Sequence, residues 1–152
     1  MNVVDDVDAT IKSWRTTAWT LALGSLVLVA ALSWQPLALL IDTMMHWPNI
    51  AMGLSQAALV ACVAGSCVMI TTVAPRHKPA VTRRFAIAQY GIAAVIAAVS
   101  FVMFLAAGQQ YEISPQEYLR QNLVSSRLLP LLLYVPLALT LVSWAAMRYS
   151  RR

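Results

Sequence analysis

Four long apolar stretches alternate with short polar ones along this chain, and the alternation predicts its elements. Residues 16–41 contain 26 positions without a charge. At about 1.5 Å per helical residue, such a run crosses a hydrocarbon core of about 30 Å with tilt or overhang. Comparable runs at about 50–74, 85–107 and 128–147 bring the expected number of spans to four. The expected fold is an all-α membrane protein: a four-transmembrane-helix up-and-down bundle in a single transmembrane domain over 1–152.

Shorter features refine that outline. Val4, Val7, Ile11 and Trp14 recur at spacings of three and four among Asp5, Asp6, Asp8, Lys12 and Arg15, which predicts an amphipathic helix before the first span. It reads as a lead-in lying in the interface, or alternatively as a docking helix for a cytoplasmic partner. Trp14, Trp19, Trp34, Trp144 and Tyr149 stand near span ends, at the headgroup level that amphipathic rings prefer. Pro36 is expected to kink the end of the first span, and Pro136 to bend the fourth, which also carries Pro130. Pro48 favours a helix start just after Trp47. Ser114-Pro115-Gln116-Glu117 fits a capping box, so a short external helix is expected before the fourth span, with Leu119 and Leu123 against the membrane.

Charge then sets the direction of threading. The stretch 75–84 carries Arg76, Lys78, Arg83 and Arg84 between two apolar runs, and short loops rich in Lys and Arg stay cytoplasmic during insertion. The connection 42–49 has neither residue. With both termini inside, nine Lys and Arg are cytoplasmic and only Arg120 and Arg127 are outside. This predicts an N-in/C-in chain. A composition 60% hydrophobic and 11% charged excludes a soluble globular domain. The net charge of +5 sits in clusters flanking the apolar runs and forms no continuous basic face, so nucleic acid is not an expected partner. Acidic residues occupy the extreme N-terminus where a secretory signal would be basic, so the first span is expected to remain in the mature chain.

Within the second span Gly53, Ala57, Ala61 and Gly65 recur every fourth residue, a stripe that another helix can approach closely. Between lipid-embedded helices, tight van der Waals contact over small residues is the usual source of association. The third span offers Ala93, Ala94, Ala97 and Ala98, so spans two and three are expected to form the closest antiparallel pair, with homodimerisation as the other use of the stripe. The polar inventory of the spans is Gln56, Gln89, Ser66, Thr71, Thr72, Ser100, Thr140 and Ser143, with no Asp, Glu, Lys or Arg inside any of the four. Such groups usually serve as interhelical or backbone hydrogen-bond partners. A polar path through the membrane would run along Gln56, Gln89 and Ser100.

Chemistry finds little to work with. Cys62 and Cys67 are five residues apart on one helix and deep in the span, which reads as two reduced packing residues. Asp42 and His46 share a helical spacing, but His77 is expected on the opposite side of the membrane, so no set of three or four metal ligands forms. Phosphate loops, His-Glu-x-x-His, nucleophile elbows and intramembrane carboxylate pairs are missing from the sequence. No catalytic residue, metal or cofactor is expected.

The stretch Asp42-x-x-x-x-Trp47-Pro48-Asn49-Ile50-Ala51 resembles a short external motif of a family of multi-pass actinobacterial membrane proteins described as transporters or simply as integral membrane proteins. Lys12 and Arg15, the basic stretch Arg76 to Arg84, Val102-Met103-Phe104-Leu105, Tyr118-Leu119 and the closing Arg148-Tyr149-Ser150-Arg151-Arg152 follow in the same order, over nearly the whole chain. The family usually places glycine where this chain has Trp47. The resemblance implies a bacterial plasma membrane and carries no catalytic residues. The expected role is non-enzymatic: a small membrane subunit or a sensory or regulatory module that contacts the lipid bilayer and packs against itself or another membrane protein. An oligomeric small-solute transporter or pore is the alternative, followed by a membrane-permeabilising lysis protein.

Overall fold

The computed structural model describes residues 3–47, 49–73, 79–108 and 134–150. The described chain is all-helical: α1 (Val3–Ser33), α2 (Gln35–Met45), α3 (Ile50–Val73), α4 (Pro79–Gly108) and α5 (134–150). Three stretches, Ala9–Ser33, Ile50–Val73 and Ala80–Ala106, are long and apolar enough to cross a membrane, which marks the chain as a membrane protein. The expected fourth span falls partly outside the described residues, as do the expected external helix with Leu119 and Leu123, and Arg76, Lys78 and Pro130. Pro136 lies in α5, but the carbonyl four residues before it is outside the described part.

The first span differs from its expected bounds of 16–41. The amphipathic N-terminal segment is continuous with it in one 31-residue helix, α1, and is no separate lead-in. At its far end the helix does not kink but stops. Pro36 has no N–H to offer Leu32, and its ring would collide with that carbonyl in a continuous helix. Trp34 therefore takes an extended conformation, φ −76° and ψ 111°, and α2 begins anew with proline in its first turn.

α2 does not continue the line of α1. A straight continuation would carry Asp42 about 15 Å beyond Leu32 at 1.5 Å per residue. Instead Leu32, Ala38 and Ala51 form one buried cluster, with Ile41 against it. The Asp42 carboxylate accepts hydrogen bonds from the Asn49 and Ala51 N–H groups at 3.0 and 2.9 Å. α2 thus folds back to pack on the ends of α1 and α3. The return is made by two residues in the left-handed region, His46 (φ 54°) and Asn49 (φ 67°), and α3 starts at Ile50, with the Asn49 carbonyl accepting from the Gly53 N–H at 2.9 Å.

α3 is the centre of the bundle. Small or apolar residues on every side leave it without a polar face, and it is covered on most sides, with Leu54, Ile70 and Val73 exposed. Ala51, Gly53, Ala58, Val60, Ala64, Gly65 and Val68 are all buried. α1 and α4 flank it and scarcely meet each other. α4 starts at Pro79, so the second half of the expected basic loop is the first turns of a helix, with Arg83 and Arg84 exposed on it. α5 spans the gap: Tyr134 and Ala138 pack with Val60, Ala64, Cys67 and Ala93, while Ala145 and Tyr149 pack with Ala18, Val68, Phe85 and Ala86. The Tyr149 and Thr82 hydroxyls are hydrogen-bonded, and Trp14 stacks on Tyr90 with ring centroids 6.5 Å apart. These contacts gather the N-terminal part of α1, the start of α4 and the end of α5 at one end of the bundle. α2 caps the other.

Candidate functional site: helix contacts and the buried polar layer

The four positions of the small-residue stripe do not act as one surface. Four residues advance a helix by about 400°, so twelve residues turn the stripe by about 120°. Gly65 faces α1, where a methyl group placed on it would lie 2.9 Å from the Ala22 amide nitrogen and 3.0 Å from the Ala18 carbonyl oxygen. Gly53 faces α4, where the same methyl would meet the Phe101 ring at 2.7 Å. The backbone-to-backbone approach of α3 is therefore to α1 at Gly65, whereas at Gly53 the contact with α4 is filled by the Phe101 ring. This corrects the expectation that spans two and three are the closest pair. Ala57 is half-buried, and Ala61 joins Ala64, Ala93, Ala94, Ala97, Leu21 and Tyr90 around a cavity of about 200 Å³ with almost wholly apolar walls.

A second set of small positions is exposed, with Ala94 among them at the rim of that cavity. Gly24 on α1 and Gly91 on α4 are exposed, and a methyl group on either would touch nothing within 4 Å. Ala94 and Ala98 are also exposed and continue the Gly91 face at helical spacing, with Ile87, Val95 and Val102 beside them. Sequence reasoning passed over Gly91 because it lies outside the runs of alanine. Its spacing to Ala94 and Ala98 was the available signal.

The expected polar path is buried: Gln89 is 0%, Gln56 1% and Ser100 2% exposed. The contacts of Gly53 with Phe101 and of Cys67 with Gln89 set an antiparallel register in which Gln56 stands level with Ser100, and Cys67 with Gln89. Eleven residues, about 16 Å of helix, separate the two levels. Val60, Ala64 and Ala93 lie between them, so the three polar residues do not line one continuous route.

At the lower level the Gln89 amide lies beside the Cys67 thiol and the Tyr134 hydroxyl. Neither polar atom of Gln89 completes a hydrogen bond of normal geometry, and the Tyr90 and Tyr134 hydroxyls likewise have none. Burying such groups unpaired costs about 1–3 kcal/mol each. Other hydroxyls are satisfied within their own helices: Ser66 donates to the Cys62 carbonyl, Thr71 to Val68, Thr72 to Met69, Ser100 to Ile96 and Thr140 to Leu137. Among the described residues these bonds each stay within one helix.

Tyr149 is buried, with its hydroxyl bonded to that of Thr82. Trp144 is exposed, with the Arg148 guanidinium carbon 5.4 Å from its ring centroid. Cys62 and Cys67 are free thiols. Asp42 is committed to the start of α3, and His46 turns its Nδ1 to the Met44 carbonyl at 3.1 Å. Among the described residues no three His, Cys, Asp or Glu side chains converge.

These features define an all-helical membrane protein with a tightly packed central helix. Comparison with protein-family models, with curated proteins and with solved structures finds no match.

Proposed function

We propose that this chain is a non-enzymatic membrane subunit, sensory or regulatory in character, that acts through helix contacts with itself or another membrane protein. The outward face of Gly91, Ala94 and Ala98 carries this reading. In lipid there is no hydrophobic force between helices, and close approach over small residues replaces it. Gly53 and Gly65 of the α3 stripe are covered within the molecule, whereas among the described residues the α4 face brings Gly91, Ala94 and Ala98 together in exposed positions, which favours it as the surface for a neighbour. The proposed threading has four spans with α5 completing the fourth. Both termini and the basic connection lie on the cytoplasmic side of a bacterial plasma membrane. The gathering of the α1, α4 and α5 ends supports the common side, the nine-to-two distribution of Lys and Arg supports its orientation, and the family resemblance of 42–51 supports the bacterial membrane.

The test pairs two kinds of variant. Gly91→Leu with Ala98→Leu should abolish crosslinking to itself or to a neighbour in native membranes while leaving thermal stability in detergent unchanged. Gly65→Leu should unfold the monomer. Unchanged crosslinking in the Gly91→Leu, Ala98→Leu variant would remove the proposal.

A further inference from the structure

We infer that α2 is a lipid-seated helix, lying in the membrane interface with an uncharged face buried in the leaflet at its end of the bundle. Pro36, Leu39, Leu40, Thr43 and Met44, at spacings of three and four, form its outward face, and Leu39, Leu40 and Met44 are 57, 55 and 70% exposed. The inward face, Ala38, Ile41 and Asp42, is occupied by Leu32, Ala51 and the start of α3. The opposite side of α2 therefore has no occupant within the described chain.

Three observations select lipid as that occupant. Ala9–Ser33 is long enough to complete a crossing by itself, so α2 begins where the hydrocarbon ends. Trp34 and Trp47, both exposed, stand at its two ends, the position indole rings take at the headgroup level. Finally, the last turns of α1 before Trp34 expose Leu26, Val27 and Leu28, residues that face lipid if α1 crosses the bilayer, so the helix next to α2 is itself in contact with the leaflet.

Residues 34–49 hold no Lys or Arg, and their one carboxylate, Asp42, is turned inward onto the Asn49 and Ala51 N–H groups. Interfacial helices that depend on anionic lipid carry cations on the polar face. This one has none, so it seats in uncharged lipid through apolar area alone. The Asp42 clamp holds the outward face toward the leaflet and ties the depth of α2 to the position of α3.

The inference rests on the membrane reading but not on which side faces the cytoplasm. Spin labels at Leu40→Cys and Met44→Cys, in the full chain with Cys62→Ala and Cys67→Ala, test it in phosphatidylcholine vesicles. Oxygen should reach both labels more readily than an aqueous nickel chelate, at a depth of about 5–10 Å below the headgroups. Adding phosphatidylglycerol should leave that depth unchanged. A label at Val99→Cys on α4 is the control. Val99→Cys deep in the hydrocarbon with Leu40→Cys and Met44→Cys in water, or shielded from both reagents by a protein neighbour, overturns the inference. Val99→Cys in water overturns the membrane reading itself. A second readout leaves the cysteines intact: Trp34→Phe with Trp47→Phe should lower the share of tryptophan emission quenched by lipids brominated near the headgroup, Trp14, Trp19 and Trp144 supplying the remainder, and leave unchanged that quenched by bromines near the chain ends. Undiminished headgroup quenching in that variant also overturns it.

Discussion

Replacing Gly65 by alanine tests the packing at the heart of the bundle, because one methyl group is added where two backbones meet. The new carbon would stand 2.9 Å from the Ala22 nitrogen, 3.0 Å from the Ala18 oxygen and 3.2 Å from the Ala22 Cβ. Two of these three neighbours are main-chain atoms of a regular helix, so no rotamer change can relieve them. α1 and α3 must part by about 0.5–1 Å, a gap that forfeits a quarter to a half of each dispersion contact along the seam. Overpacking of this kind costs about 1–3 kcal/mol. Alanine returns at most about 1 kcal/mol of helix propensity over glycine. The net expectation is a loss of about 1–2 kcal/mol, a five- to thirtyfold fall in the folded-to-unfolded ratio. Gly91→Ala carries the same propensity gain with nothing within 4 Å to collide with, so it should stabilise or leave the monomer unchanged. Reversible unfolding in mixed micelles, followed by far-UV circular dichroism against SDS fraction, gives both values on one scale. Gly65→Ala at least as stable as the parent chain would refute the close α1–α3 contact.

Asp42→Ala removes the acceptor of two N–H groups and should cost about 1–2 kcal/mol in the same titration, with Asp42→Asn intermediate because its amide keeps one acceptor oxygen. Tyr149→Phe and Thr82→Val should each lower stability by about 0.5–1.5 kcal/mol, and a double-mutant cycle should show the two losses to be shared; additive losses would mean the hydroxyls are not partners. Gln89→Leu takes away an amide that is fully buried without a completed hydrogen bond, so the variant should be as stable as the parent chain or more so, and a loss above about 1 kcal/mol would show that the amide is paired in the membrane.

The motif 42–51 shows how a readable pattern acquires a physical cause. Asp42, Asn49 and Ala51 are respectively the clamp, the left-handed turn residue and the first clamped position inside α3, so the spacing of this stretch is that of a helix start tied back to the preceding helix. The basic stretch was legible as a polar boundary, but its helical half was not. Pro79 is tolerated in a first helical turn, and Thr82 on that turn finds its partner 67 residues away in Tyr149.

By itself the sequence determined the apolar runs, the loss of regular helix at Pro36, a second span from about Ile50 and the absence of any charge in the middle of the spans, whereas the helix start expected just after Trp47 falls at Ile50, behind the left-handed Asn49. These follow from hydropathy, proline geometry and charge, which each residue carries wherever it is placed. Only the tertiary structure decided that α3 is central, that Gly65 meets α1 while Gly91 faces outward, that α2 folds back onto the ends of α1 and α3, and that Tyr149 is buried. In water an amphipathic period tells the inside of a helix from its outside. In lipid both sides are apolar and small residues occur on each, so the packing neighbours alone separate the glycine that lets two backbones touch from the one that leaves a face free.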